Sequence, residues 1–209
     1  MSTTVYTYND KVLVNSANDK WLKKYIDPYN PLGLPPHTMR VKMVSLCTPP
    51  SHVFTTTLVD ETNNIWDLYY DSNDWNGVCS DWYSDRSIEA VLGANTTGIT
   101  DMGNMFDGST LTSTVLFDTR SVTNMSNMFA SCPITSIPLY DTSSVVYMNY
   151  TFNGCVNVTG GALALYQQAS GQTTPPEEYE GCFTDCGSNT QTGAAELAQI
   201  PSSWGGTAS

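Results

Sequence analysis

The apolar residues in the second half of the chain recur with a period of 23 residues. Residues 97–119 read TGITDMGNMFDGSTLTSTVLFDT, and residues 120–142 read RSVTNMSNMFASCPITSIPLYDT, so that ten of the 23 aligned positions are identical. A third copy starts at Ser143 and loses the pattern after Asn157. A fixed period of this length is typical of proteins built from stacked structural repeats.

Each copy contains two apolar patterns. Residues 122, 125, 128 and 129 follow the spacing of one face of a short helix, whereas residues 134, 137 and 139 follow the L-x-x-L-x-L spacing of a leucine-rich-repeat strand. Because one repeat cannot bury its apolar stripe alone, the repeats are expected to stack. The pattern therefore predicts an α/β fold over residues 91–209, a short leucine-rich-repeat-like solenoid of 23-residue helix-turn-strand repeats with a C-terminal cap.

A different pattern precedes the repeats. Residues 38–46, 52–60 and 64–70 are rich in β-branched and aromatic types, which predicts three strands of a small antiparallel sheet. Residues 87–95 carry apolar residues at helical spacing and predict a helix that caps the first repeat. We therefore expect a small β-rich subdomain over residues 35–90.

The start of the chain is set apart from both regions. Residues 5–14 alternate around a central Asn-Asp turn and predict a hairpin, and residues 20–26 have the spacing of a helical turn. Residues 28–36 hold four prolines and predict a stiff connector. These features predict a separate N-terminal segment over residues 1–34.

The charges divide along the same line. The formal net charge is −12, yet residues 1–42 hold six of the eight basic residues against three acids, a net of +3. The rest of the chain holds two basic residues against 17 acids, a net of −15. An acidic body repels phosphate backbones, so we expect no nucleic-acid partner. No apolar stretch approaches the ~20 residues of a membrane span, so we expect no membrane insertion.

Candidate chemistry is sparse. The chain has six cysteines and two histidines, which do not form a zinc set of familiar spacing, and no nucleophile elbow, P-loop or HExxH motif occurs. Cys132 and Cys155 share a repeat position. Two alternatives remain for this pair, buried free thiols or a disulfide. Residues 71–77 carry the oxygen ligands of a calcium loop at the wrong spacing, which favours an acidic solvated loop. We expect no metal, no cofactor and no enzymatic activity, although paired carboxylates for glycan hydrolysis remain an alternative.

Two groups of residues are candidates for binding. Aromatic side chains lie beside carboxylates and amides in the region before the repeats, an arrangement suited to glycans; the candidates are Trp66, Tyr70, Trp75, Asn76, Trp82 and Tyr83. On the predicted solenoid, side chains that flank the strand leucines would face the concave side, with Phe117 and Tyr140 as an exposed aromatic pair. The concave-face candidates are Ser113, Val115, Phe117, Ser136, Pro138 and Tyr140.

Several motifs resemble a known family. The Met-x-x-Met-Phe run at residues 125–129, the endings at residues 116–119 and 138–142, and the segment from GALALYQQAS to TGAAELAQIPSSW are similar to BspA-type leucine-rich-repeat surface proteins of bacteria, bacteriophages and prophages. The resemblance covers about residues 91–209. It implies a horseshoe-like surface module for adhesion or recognition, without catalysis.

The family leaves two settings open, a bacterial cell surface and a virion surface. The first residues lack the pattern of an export leader, which favours a bacteriophage virion protein, such as a head fibre, capsid decoration or tail appendage. Residues 1–34 would then bind other virion proteins, several copies of the chain would sit on one particle, and the repeats would meet a cell-surface glycan or protein. The attachment candidates are Tyr6, Tyr8, Lys11, Trp21, Lys23 and Lys24.

Overall fold

A computed structural model of the chain describes residues 5–8, 11–14, 24–49, 51, 53–79 and 88–208. Near the start of the chain, three short strands form an antiparallel sheet in the order β1-β2-β3. They are β1 (Val5–Tyr8), β2 (Lys11–Val14) and β3 (Lys24–Ile26). The predicted hairpin is therefore confirmed. Residues 24–26, which the sequence assigned to a helical turn, form a strand instead, and the rest of that predicted helix lies outside the described residues.

A second sheet follows, with the strand order β5-β6-β4-β7 and antiparallel neighbours throughout. Its strands are β4 (Thr38–Met43), β5 (Thr55–Asp60), β6 (Ile65–Tyr69) and β7 (Ile88–Asn95). The three predicted strands are confirmed, but the helix predicted over residues 87–95 is wrong. The register shifts where β7 pairs with β4, and both Ala90 and Val91 are buried there. Because of this irregularity, two consecutive residues of β7 are buried, and its apolar residues do not alternate as they do in a regular strand.

The predicted α/β solenoid of helix-turn-strand repeats is also wrong. In the described part of the chain, regular secondary structure is mainly the four-stranded antiparallel sheet, together with two short helices after the repeats. These are α1 (Ala162–Ser170) and α2 (Gln191–Leu197), followed by a 3-10 turn at Ser202–Trp204. The repeats themselves consist of turns and irregular chain.

The backbone geometry explains why the Met-x-x-Met-Phe run is not a helix. Asn104 and Asn127, in the middle of the predicted helices, adopt left-handed conformations with φ of 51° and 55°. A helix would bond each N–H four residues back along the chain. Here the N–H of Met102 instead donates to the carbonyl oxygen of Asn124, in the next repeat, at 2.9 Å. The N–H of Phe106 likewise donates to the carbonyl oxygen of Met128 at 2.9 Å.

These hydrogen bonds join successive turns into a column that we call the turn stack. Isolated parallel bridges link Asp74 to Asp101, Asp101 to Asn124, Asn124 to Tyr147 and Tyr147 to Glu178. The stack therefore has five layers, at residues 74–79, 101–108, 124–131, 147–154 and 178–185. The first layer lies within the loop that the sequence analysis left outside the repeats.

Buried aromatic rings run up the middle of the turn stack. Phe106, Phe129, Phe152 and Phe183 have no exposed surface, and consecutive ring centroids lie 5.5, 5.5 and 5.8 Å apart. The Trp204 ring covers the end of the column, 6.4 Å from that of Phe183. This core is continuous with that of the second sheet, and β7 runs across the predicted boundary at residue 90.

The threonine that recurs at Thr96, Thr119 and Thr142 has a structural role in the same core. Thr96, Thr119 and Thr142 are buried. The Thr96 hydroxyl donates to the Asp118 carbonyl oxygen at 3.0 Å, and the Thr119 hydroxyl donates to the Asp141 carbonyl oxygen at 2.7 Å. Thr96 and Thr119 therefore each tie their own repeat to the next one through a backbone carbonyl group.

Candidate functional site

The aromatic pair of the predicted concave face is inside the protein. Phe117 and Tyr140 have no exposed surface, and their rings stack at 6.1 Å. The Tyr140 hydroxyl donates to the Val115 carbonyl oxygen at 3.1 Å. The prediction of an exposed pair was wrong because the inward and outward positions are the reverse of those expected. Tyr140 is buried, whereas the neighbouring Leu139, which was expected in the core, is 55% exposed. Neither ring can contact a partner.

The remaining members of that face keep some exposed surface. Ser113 and Ser136 are exposed, and Val115 and Pro138 are half-buried. Without the two rings, the group contains no aromatic anchor. A role for these four residues in binding stays a prediction.

The structure separates the glycan-binding candidates. Trp75 is completely buried in the first layer of the turn stack, where its indole N–H donates to the Ser72 carbonyl oxygen at 3.0 Å. Trp66 and Tyr70 are half-buried; the Trp66 indole N–H donates to Asn64 Oδ1 at 2.8 Å, and the Tyr70 ring meets Phe54 edge-on. The buried Trp75 cannot stack on a sugar.

Asn76 is exposed, and its side chain contacts the next layer of the turn stack. Its Nδ2 lies 3.3 Å from Asp101 Oδ1. Trp82 and Tyr83 fall outside the described residues, as do Trp21 and Lys23 of the attachment segment. Strands β1, β2 and β3 contain Tyr6, Tyr8, Lys11 and Lys24. Particle attachment through these residues stays a prediction.

Carboxylates and amides on the turns serve the stack itself. Asp101 Oδ1 accepts from Asn124 Nδ2 at 3.0 Å and from the Gly103 N–H at 2.9 Å, in addition to Asn76. A Cβ at Gly103 would lie only 2.6 Å from Asn76 Nδ2 and 2.7 Å from Asn124 Nδ2, so a larger residue here would displace these two amide groups. These polar groups bind one layer to the next.

The cysteines are free thiols, and the disulfide alternative for Cys132 and Cys155 is wrong. Each of the two thiols donates to a phenylalanine carbonyl oxygen in the preceding repeat, Cys132 to Phe106 at 2.9 Å and Cys155 to Phe129 at 3.0 Å. Burial raises the pKa of Cys132 to about 11. Within the described ranges, no group of three or more metal-ligating side chains comes together, and no helix is long and apolar enough to cross a bilayer.

The C-terminal end of the turn stack carries two open cavities that the sequence analysis missed. One has a volume of about 420 Å³ and is lined by Thr184, Asp185, Ser188, two residues of α2 (Ala194 and Leu197), Ser202 and residues 205–207. The other, of about 290 Å³, is lined by Asn149, residues 177–180 and Ser203. No motif marks them, because the last layer follows the previous one after 31 residues rather than 23, from Tyr147 to Glu178.

These features define a repeat protein made of stacked turns on an antiparallel sheet. Residues 83–162 match the model of a family described as "Mycoplasma protein of unknown function, DUF285". The matched segment is 80 of the 209 residues, and it spans β7 and three layers of the turn stack. It points to the BspA-like group that the repeats resemble. Comparisons with curated proteins and with solved structures found no match.

Proposed function

We propose that this chain is a non-enzymatic surface protein that recognises another molecule through its turn stack. The observation that carries the proposal is an exposed tyrosine pair, Tyr147 and Tyr150, which are 42% and 40% exposed. At the equivalent positions, the two preceding layers hold only small polar residues. These are Asp101 and Asn104 in one layer, and Asn124 and Asn127 in the other.

Tyr150 sits in a backbone conformation that does not suit tyrosine. Its φ is 56°, in the left-handed region. In all four of the other layers of the turn stack, the equivalent position holds asparagine or glycine. A side chain other than glycine or asparagine costs on the order of 1 kcal/mol or more in this conformation. An exposed aromatic residue kept at such a position supports a role in contact with a partner, since tyrosine is a common anchor of binding surfaces.

The surroundings of the tyrosine pair restrict the partner. Asn149 Nδ2 donates to Glu178 Oε2 at 2.7 Å, and Asn149 Oδ1 accepts from the Glu180 N–H at 3.0 Å, so the adjoining rim is acidic and held by hydrogen bonds. An acidic rim repels anionic polymers. The partner that fits is a neutral glycan or a basic protein surface.

The test is binding of the labelled whole chain to a panel of bacterial cells and to a glycan array. We expect the double variant Tyr147→Ala, Tyr150→Asn to lose at least about tenfold in affinity, equivalent to about 1.4 kcal/mol, and to stay folded because asparagine suits the backbone. Tyr69→Ala, at a tyrosine of β6 with 38% exposure, is the matched control. Wild-type binding by the double variant would refute the proposal.

The setting that we propose is the surface of a bacteriophage virion, as a head fibre, capsid decoration or tail appendage. The basic start of the chain and its separate sheet support attachment of this segment to other virion proteins, with several copies on a particle. Residues 27–34 contact the body: the Arg120 guanidinium lies 5.0 Å from the Tyr29 ring centroid, and Asn95 Nδ2 donates to the Leu34 carbonyl oxygen at 2.8 Å. A deletion should therefore end at residue 26.

We expect the chain to co-purify with virions, and the variant lacking residues 1–26 to fold but to stay off the particles. Circular dichroism of the variant provides the folding control. Recovery of the intact chain on bacterial envelopes, and not on particles, would favour a bacterial adhesin. Recovery only as free protein in the cytosol would overturn both settings.

A further inference from the structure

The layers of the turn stack are joined by a row of N–H groups that all point toward the C-terminal end. At one position of the layer, Gly108 donates to Ala130, Ser131 to Asn153 and Gly154 to Thr184, with N–H to carbonyl oxygen distances of 2.8, 2.7 and 2.9 Å. Each of these donors has a left-handed backbone, with φ of 66°, 58° and 69°. The equivalent residue in the last layer is Asp185, whose φ is 57°.

The turn stack ends at its fifth layer, and in the described part of the chain not every backbone N–H group of that layer has an acceptor. Trp204 lies where a sixth layer would begin, and its carbonyl oxygen accepts from the Phe183 N–H at 2.9 Å. Among the described residues, the N–H of Asp185 has no acceptor. Since Asp185 shares the backbone conformation of Ser131 and Gly154, its N–H points out of the stack. Asp185 also lines the 420 Å³ cavity, which places this unused backbone donor beside the cavity.

The side chains around this cavity are also without partners. Asp185, Ser188, Ser202 and Thr207 line it and are exposed, and their carboxylate and hydroxyl groups make no hydrogen bond within the part of the chain that the structure describes. Leu197, which is 5% exposed, provides an apolar patch in the lining. Small-molecule sites combine such a concavity, of roughly 300–1,000 Å³, with a few convergent polar groups.

The chemistry of these groups selects a ligand class. The backbone N–H can only donate, the carboxylate can only accept, and the serine and threonine hydroxyls can do both. A sugar hydroxyl also does both, so a single saccharide can satisfy all of them. The region beyond residue 42 has a net charge of −15, which disfavours an anionic sugar. We propose that this cavity binds a neutral saccharide, with its hydroxyls accepting from the Asp185 N–H and donating to the Asp185 carboxylate.

The site goes beyond the proposed function and uses none of its tyrosines. The experiment is an amide chemical-shift titration of the full chain with glucose, galactose, N-acetylglucosamine and their β-linked disaccharides. We expect at least one sugar to shift the amide signals of Asp185, Ser188 and Thr207. Glucuronic acid, which carries a carboxylate, should bind about tenfold more weakly than glucose.

Two variants separate a binding site from a structural effect. Asp185→Gly keeps the backbone N–H and suits the left-handed conformation, so it should fold normally and weaken sugar binding about tenfold. The control Glu61→Gln removes one negative charge from an exposed turn and should bind as the wild type does. The proposal is overturned if no neutral sugar shifts these amides at millimolar concentration, or if Asp185→Gly binds like the control. Either result leaves recognition through Tyr147 and Tyr150 untouched.

Discussion

The aromatic column should be the most sensitive part of the core, and Phe129 is its centre. The Phe129 ring has no exposed surface and stacks on those of Phe106 and Phe152 at 5.5 Å each, Tyr140 at 6.0 Å and Phe117 at 6.4 Å. Truncating a buried phenylalanine to alanine costs about 3–5 kcal/mol. Total stabilities are about 5–15 kcal/mol, so Phe129→Ala should remove a large share of the free energy of unfolding.

The assay is urea unfolding followed by circular dichroism, with a thermal melt as a second measurement. At about 2–4 °C per kcal/mol for a chain of this size, the melting temperature should fall by about 6–20 °C. Phe129→Leu, which keeps a buried apolar side chain but removes the ring contacts, should lie between alanine and the wild type. Leu139→Ala, at a leucine with 55% exposure, should cost less than about 1 kcal/mol. A Phe129→Ala cost no larger than that of Leu139→Ala would refute the stacked core.

Three further outcomes follow from the same contacts. Thr119→Val leaves the Asp141 carbonyl oxygen without its buried donor and should cost about 1–3 kcal/mol in urea unfolding; a loss below that of an exposed threonine variant would contradict it. The hydrogen bonds from the Arg120 guanidinium hold the pKa of the Asp118 carboxyl below its usual 3.8, so this contribution to stability is present at neutral pH and is lost as the pH falls through the folded-state pKa. Asp118→Asn should therefore destabilise the chain at pH 7 and not in strong acid; a pH-independent difference would count against the ion pair. With five of the six cysteines buried, a thiol reagent at pH 8 should label only Cys47 rapidly, and fast labelling of a second thiol would show that the core is open.

The partner of the turn stack is constrained by charge as well as by shape. The body is acidic, and in the described part its few basic side chains are engaged: Arg40 pairs with Asp67, Lys42 with Glu89 and Arg120 with Asp118. Such a surface gives no electrostatic attraction to anionic polymers. This is why both proposed sites are assigned to neutral or basic partners.

Much of the organisation was predictable from the residues themselves. Alternation placed β4, β5 and β6, and the 23-residue period predicted which residues share a position. Phe106, Phe129 and Phe152 do stack, and Thr119 recurs because its hydroxyl joins neighbouring layers. Signals of this kind survive in sequence because burial and repetition act on residue types.

The direction of the hydrogen bonds was decided only by the tertiary structure. The spacing of Met125, Met128 and Phe129 suits a helix, but the N–H groups of Met125 and Phe129 donate to Tyr147 and Thr151 of the next layer, at 2.8 and 2.9 Å. An apolar spacing shows which side chains are buried together and not where the backbone finds its partners. For the same reason, sequence could not show that Tyr140 points inward, or that the last layer leaves the Asp185 N–H unused at a cavity.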